Sequence, residues 1–306
     1  MRVFVTGASG YVGGAVARAF AAAGHEVSGL VRTPEKAALV KAFGARPVIG
    51  DLRDPATYAA EAAAHDTLVH VGMQPGPEKL ATDRLAVDTL LAAAREGGAE
   101  SLIFTSVMFV LGDTGDGWAD EDASTGRPAP SAAGRPEHER IVLDAADDRL
   151  ATAVVRPGMV YGGRGGSVGQ AFATAKRDRA ALIVGDGRNR WPLIHLDDVG
   201  ALYVHVAGAR ARGVFHAVDG TALTVDEIAR AASRAAGAGG AVRYLPVEEA
   251  RAFLGAFADS LALDQRIAAP RSAALGWRAE RPAFPEWADE VYREWLDAAP
   301  APAVAA

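Results

Sequence analysis

Near its start the chain reads RVFVTGASGYVGGAVARAFAAAGHEV, which sets Gly7, Gly10 and Gly13 in G-x-x-G-x-x-G spacing between a β-branched run and an amphipathic one. Such a turn suits a phosphorylated dinucleotide. Gly7 permits a tight strand-to-helix turn, Gly10 lets the backbone approach a pyrophosphate, and Gly13 lets the helix pack on the sheet. Ala8, Ser9, Tyr11 and Val12 fill the same turn, where backbone N–H groups at the helix N-terminus would hold the diphosphate. A carboxylate at the end of the second strand would bond a ribose 2′-hydroxyl and repel a 2′-phosphate. That position is Val31, followed by Arg32 and Thr33, a guanidinium fork and a hydroxyl that favour NADP(H) over NAD. Asp51 and Leu52, after a third strand, would flank the adenine, and His70, Val71, Gly72 and Met73 would pass beneath the ribose and nicotinamide. His70 itself reads as a packed core histidine.

These residues need a scaffold, and the sequence supplies one. RVFVT, EVSGLV, RPVIG, DTLVHV, SLIFTS and ATAVV are short, near-continuously apolar runs separated by amphipathic stretches. Strands of that kind belong to a parallel sheet covered on both faces, so the fold class is α/β, a Rossmann-like doubly wound sheet. After Arg156 the alternation becomes uneven. The expected organisation is a dinucleotide-binding domain over residues 1–160 and a smaller, partly interleaved α/β substrate region over 161–298. The Ala/Pro run at 299–306 reads as a flexible tail.

Composition removes several function classes. With 306 residues, half of them apolar and 23% charged, the chain has ample material for a core. A net charge of −6 without a basic cluster argues against nucleic acid. Cysteine is absent, which excludes disulfides and thiolate chemistry. The N-terminus begins directly with a strand and no apolar run nears membrane-spanning length, so a cytoplasmic protein is expected. The acidic loop GDTGDGWADEDAS lacks the spacing of a calcium loop, and His138-Glu139 lacks a second zinc-binding histidine, so no metal is indicated.

TGASGYVG, GDLRD, LIFTSVMFVLGD, VVRPGMVYG and GDGRNRWPLIHLDDV, in that order, resemble the extended short-chain dehydrogenase/reductases, the NAD-dependent epimerase/dehydratase group. The likeness spans nearly the whole chain. It implies NADP(H) in a Rossmann-like domain and a catalytic Ser/Thr, Tyr and Lys. Those positions fall here at Val107, Ala133 and Glu137, none of which can do the work. Ser106, one residue before Val107, would face the cofactor or the sheet. No tyrosine anywhere in the chain is followed four residues later by lysine.

A positioned general acid is worth roughly 10²–10⁴ in rate, so something must replace it. A substrate bearing a phenol beside an aryl ketone would carry its own donor. The sequence is similar to atypical ketoreductases of aromatic polyketide antibiotic pathways, which implies a bulky aromatic carbonyl substrate. The resemblance also sets Pro157, Gly158, Met159 and Val160 against the nicotinamide. Met73, Gln74, Val107, Met108, Phe109, Tyr161, Arg164 and Trp191 would then surround the substrate. Tyr161 reads either as a displaced proton donor or as a buried aromatic, and His195 is the alternative acid. Asp197 and Asp198 resemble an N-cap and a first-turn acid. Two other functions stay open: a nucleotide-sugar epimerase or dehydratase, and a non-catalytic NADP(H) sensor. Oligomeric state is not legible.

Overall fold

The computed structural model describes residues 1–298, and the tail read over 299–306 lies outside the described residues. In chain order the strands are β1 (Arg2–Thr6), β2 (Glu26–Val31), β3 (Arg46–Ile49), β4 (Thr67–His70), β5 (Ser101–Thr105), β6 (Ala151–Pro157), β7 (Met159–Tyr161), β8 (Ala181–Val184), β9 (Arg190–Trp191), β10 (Leu193–His195), β11 (Gly213–Ala217), β12 (Leu223–Thr224) and β13 (Val242–Leu245). The helices are α1 (Tyr11–Ala22), α2 (Pro34–Ala42), α3 (Ala59–Ala63), α4 (Lys79–Gly97), α5 (Arg135–Asp144), α6 (Gly166–Asp178), α7 (Leu196–Gly208), α8 (Val225–Ala235), α9 (Val247–Leu254), α10 (Phe257–Leu261), α11 (Pro270–Ala274) and α12 (Phe284–Asp297).

Seven strands form one parallel sheet in the order β11-β6-β5-β4-β1-β2-β3. From β1 the chain steps outward one way through β2 and β3, then returns to the far side of β1 as β4 and continues through β5 and β6. Strand order therefore reverses between β1 and β4, where Thr6 lies in register with His70. In open α/β sheets the crevice beyond the carboxyl ends at such a switch point is where ligands bind.

Alternation along the strands divides the apolar side chains between two faces. Val3, Val5, Val69 and Ile103 pack with Val16 and Phe20 of α1 and with Val199, Leu202 and Val206 of α7. Phe4, Leu68, Leu102 and Phe104 pack on the other face with Val87, Leu90 and Leu91 of α4 and Val142 of α5. A third core lies outside the sheet, where Phe172, Ile228, Phe284 and Trp295 bring α6, α8 and α12 together. The regions are not split cleanly in sequence: β11 pairs along β6, and α7 packs against α1 from residues far beyond position 160. Among the described residues no helix is long and apolar enough to cross a membrane.

Candidate functional site

The glycine turn sits at the switch point. Gly7 has φ of +67°, and a Cβ there would lie 2.6 Å from Gly72 Cα, so the turn after β1 and the segment after β4 touch backbone to backbone. At Gly13 a Cβ would lie 2.1 Å from the Gly7 carbonyl oxygen. Gly10 caps α1 with extended dihedrals and no side-chain bond, which leaves the first-turn N–H groups uncapped by any side chain. This arrangement fits the diphosphate of a dinucleotide, whose oxygens would take those N–H groups. Gly13→Ala is expected to cost about 1–3 kcal/mol through overpacking, read as a lowered denaturant midpoint. An unchanged midpoint would mean that the turn relaxes without strain.

At the end of β2, Arg32 is exposed and its Nη1 donates to Gln74 Oε1 at 3.1 Å. Gln74, expected at the substrate, therefore sits beside Arg32. Thr33 caps α2, its hydroxyl accepting from the Lys36 amide. Asp51 accepts a bidentate bond from Arg53, which holds its carboxyl below the usual range, and Leu52 is buried. Tyr11 donates to the Gly162 carbonyl at 2.8 Å, fastening the start of α1 to the turn after β7.

Beneath the turn lies a buried polar chain. Thr6 Oγ1 accepts from the amides of Val71 and Gly72, each at 3.1 Å, and so donates to His70 Nδ1 at 2.7 Å. His70 Nε2 then donates to Asp83 Oδ1 at 3.2 Å. The other carboxylate oxygen accepts from His138 Nδ1 at 2.6 Å and Arg135 Nη1 at 2.7 Å. Burial alone would raise the Asp83 pKa. The bonds from His138 and His70 and the charge of Arg135 overcome it and hold the carboxyl well below the usual carboxylate range. The Arg135 guanidinium also lies 5.0 Å above the Phe104 ring. Further along α5, Glu139 takes a bidentate bond from Arg156, both buried, and burial pushes neighbouring His216 down to about 4.

Several expected site residues stand elsewhere. Ala133 precedes α5 and is exposed, and the Glu137 side chain is 65% exposed beside Arg84. The inward residues of α5 are Arg135, His138, Glu139 and Val142, so the helix presents a guanidinium to the interior where the resemblance placed its acid–base pair on the outer face. Tyr161 is 1% exposed, edge-on to His195 and Phe284, and burial raises its pKa. It is a core aromatic and no proton donor to a cleft. His195 caps α7, its Nδ1 accepting from the Asp197 amide and its Nε2 donating to Glu294. The cap is thus His195, and Asp197 and Asp198 are both first-turn acids. Trp191 is buried in the third core with its indole N–H on the Leu261 carbonyl, and Arg164 stacks on Trp295. Trp191 thus belongs to the third core, and Arg164 packs on an aromatic of the same core.

Other positions lie at the carboxyl ends of the central strands. Met73 is exposed after β4. Ser106 is 1% exposed, with its amide on the Val155 carbonyl and no partner for its hydroxyl. Val107 and Phe109 are half-buried, Met108 is buried, and the Phe109 ring meets Phe257 edge-on at 5.9 Å. Pro157 ends β6, the Gly158 amide bonds the Ala217 carbonyl, and Met159 and Val160 pair with β10. Among the described residues no group of three acidic or histidine side chains is arranged to hold a metal. Sequence reasoning missed Asp83 and Arg135, and weighed His138 only as a zinc ligand.

Comparisons with known proteins agree with this architecture. A 3-diazoavenalumate denitrifying reductase from a Streptomyces species is 33% identical over 96% of this chain and 100% of its own length. A 4-hydroxy-2-methyl-3-oxo-4-farnesyl-3,4-dihydroquinoline-1-oxide ketoreductase from Stigmatella aurantiaca is 36% identical over 53% of this chain and 51% of that protein. Among solved structures, a Thermus thermophilus UDP-glucose 4-epimerase in complex with NAD matches with a TM-score of 0.81 at 22% identity, over 98% of this chain and 100% of that one. The human epimerase family protein SDR39U1 with NADPH matches with a TM-score of 0.78 at 21% identity, over 96% and 99% of the two chains. The model for the NAD dependent epimerase/dehydratase family matches residues 3–217, and the chain belongs to that family.

Proposed function

We propose that the protein is an NADPH-dependent reductase of a bulky aromatic carbonyl compound that works without a tyrosine–lysine pair. The observation that carries the reading is the glycine turn at the switch point with Arg32 beside it and no carboxylate at the end of β2. Gly7, Gly10 and Gly13 would hold the diphosphate and Arg32 the 2′-phosphate. When bound, the dinucleotide supplies a hydride. Around the crevice, Met73, Val107 and Phe109 offer apolar surface at the ends of adjacent strands β4 and β5, suited to a flat ring system. The two reductases named above support reduction as the reaction class. A phenol next to the substrate carbonyl would provide the proton.

Fluorescence titration tests the cofactor. NADPH is expected to bind tighter than NADH, and Arg32→Ala is expected to weaken NADPH by on the order of 10-fold or more while sparing NADH, since a charged hydrogen bond is worth about 1.5–3 kcal/mol. Equal affinities, or loss of both ligands together, would remove Arg32 from the phosphate. NADPH uptake without turnover of any aromatic carbonyl would favour a sensor.

A further inference from the structure

We propose that Arg135 is the fixed positive charge that stabilises the negative charge growing on the substrate oxygen, an assignment that rests on the reductase reading above. When a carbonyl carbon receives a hydride, the C–O π pair moves onto oxygen. In a site shielded from water that anion needs a preorganised opposite charge. Two other guanidiniums stand near the carboxyl ends of sheet strands. Arg32 stands at the far end of β2, and Arg156 spends both arms of its guanidinium on Glu139. Arg135 uses only Nη1 on Asp83, and its Nε–H, although buried, has no partner.

Its position is tightly determined. Residues 130–132 form a 3-10 turn, and Ala133 and Gly134 keep right-handed helical dihedrals into α5, so Arg135 stands in the opening turns of one continuous helical segment. Its guanidinium lies over Phe104, which is in register with His70 on β4. Two residues beyond Phe104 comes Ser106, whose buried hydroxyl also lacks a partner. Alternation along extended backbone sets Ser106 on the same face as Phe104, and therefore on the Arg135 side. The Arg135 Nε–H and the Ser106 hydroxyl thus keep hydrogen-bonding capacity that no other group of the described chain takes up, and buried polar groups of that kind call for a partner. Asp83, His70 and Thr6 tie Arg135 to the amides of Val71 and Gly72, which adjoin Gly7. The cation is thus fixed relative to the glycine turn.

A guanidinium keeps its proton at any physiological pH, so Arg135 cannot be the acid. The proton passes from the substrate phenol to the new alkoxide, and the resulting phenolate takes one from solvent. Arg135 stays charged throughout and faces one net negative charge at each stage.

The test uses the full chain as wild type, Arg135→Lys and Arg135→Met, with two probes. In the first, para-nitrophenol is titrated against each protein without dinucleotide, and absorbance reports its ionisation. Wild type and Arg135→Lys are expected to ionise the probe at lower pH than Arg135→Met, and equal midpoints in all three would overturn the assignment. In the second, ortho-hydroxyacetophenone is reduced with NADPH. Arg135→Met is expected to lose about 10²–10³ in kcat, as for removal of one oxyanion-stabilising group. Arg135→Lys is expected to keep most of the rate but to lose it at lower pH than wild type, because burial lowers a lysine from its usual pKa of about 10.4. Wild type's own alkaline limb comes from ionisation of the substrate phenol at about pH 10. Undiminished kcat in Arg135→Met, or an alkaline limb in Arg135→Lys no lower than that of wild type, would also overturn it. If Arg135→Met does not fold, the lysine profile decides. Failure of wild type to bind NADPH would sink the reductase reading instead.

Discussion

Replacing Asp83 by alanine is expected to destabilise the protein by about 3–5 kcal/mol, because it leaves Arg135 buried without its counter-ion and two histidines without their acceptor. That is a large part of the roughly 5–15 kcal/mol that holds a typical domain together. Urea unfolding measures it, and a shift below about 1 kcal/mol, the worth of an exposed ion pair, would mean that Arg135 finds another partner. The acid behaviour follows the same group. A carboxyl whose folded pKa lies below its unfolded value of about 3.9 contributes stability in full above that value. The contribution is lost as pH falls further, so wild type should lose stability below about pH 4 more steeply than Asp83→Ala. Parallel curves in that range would remove Asp83 as the cause.

The second large effect concerns the proton. With NADPH, ortho-hydroxyacetophenone should be turned over at least about 10²-fold faster than acetophenone, the lower range of what a positioned general acid supplies. The two ketones differ by one hydroxyl, so stacking against Met73 and Phe109 hardly distinguishes them. The comparison isolates the internal donor. Moving the hydroxyl to the para position keeps the electronic effect but breaks the intramolecular bond, and should return the rate to that of acetophenone. Equal turnover of all three would mean that the chain supplies the acid itself. Ser131, whose hydroxyl shares a bond with Ser260 at 2.5 Å ahead of α5, would then be the first group to remove.

The sheet was legible because its strands are short, apolar and separated by amphipathic stretches, and the glycine turn because each glycine answers a backbone demand that other residues meet badly. The polar centre was harder, although its signal lies in the sequence. Asp83 shares the inward stripe of α4 with Ala86, Val87, Leu90, Leu91 and Ala94, at spacings of three, four, seven, eight and eleven. Arg135, His138, Glu139 and Val142 repeat that phase on α5. Charged residues in an apolar stripe announce a buried network, but periodicity alone gives no partners, since these come from separate strands and helices. Ala133 and Glu137, where the resemblance sets the acid–base pair, are out of phase with the inward residues of α5. Two residues turn a helix by about 200°, so a shift of two carries a position from the inner face to the outer one. Trp191 and Arg164 were expected at the substrate for another reason: aromatic and cationic side chains near a crevice have the same composition as a third core just behind it. Of the two readings of Tyr161, its burial supports the buried aromatic.

β11 lies along β6, and α7 lies under α1, although both come from beyond residue 160. A gene fragment ending there would bare the whole length of β6 as an unpaired edge and leave the apolar side of α1 wet, a template for aggregation. Recombination at this crossover would set β6 and α1 against a relative's β11 and α7, so chimaeras should lose stability there wherever the two parents differ on those surfaces. Crossovers after Ala217, where the last sheet strand is already in place, should be the productive ones.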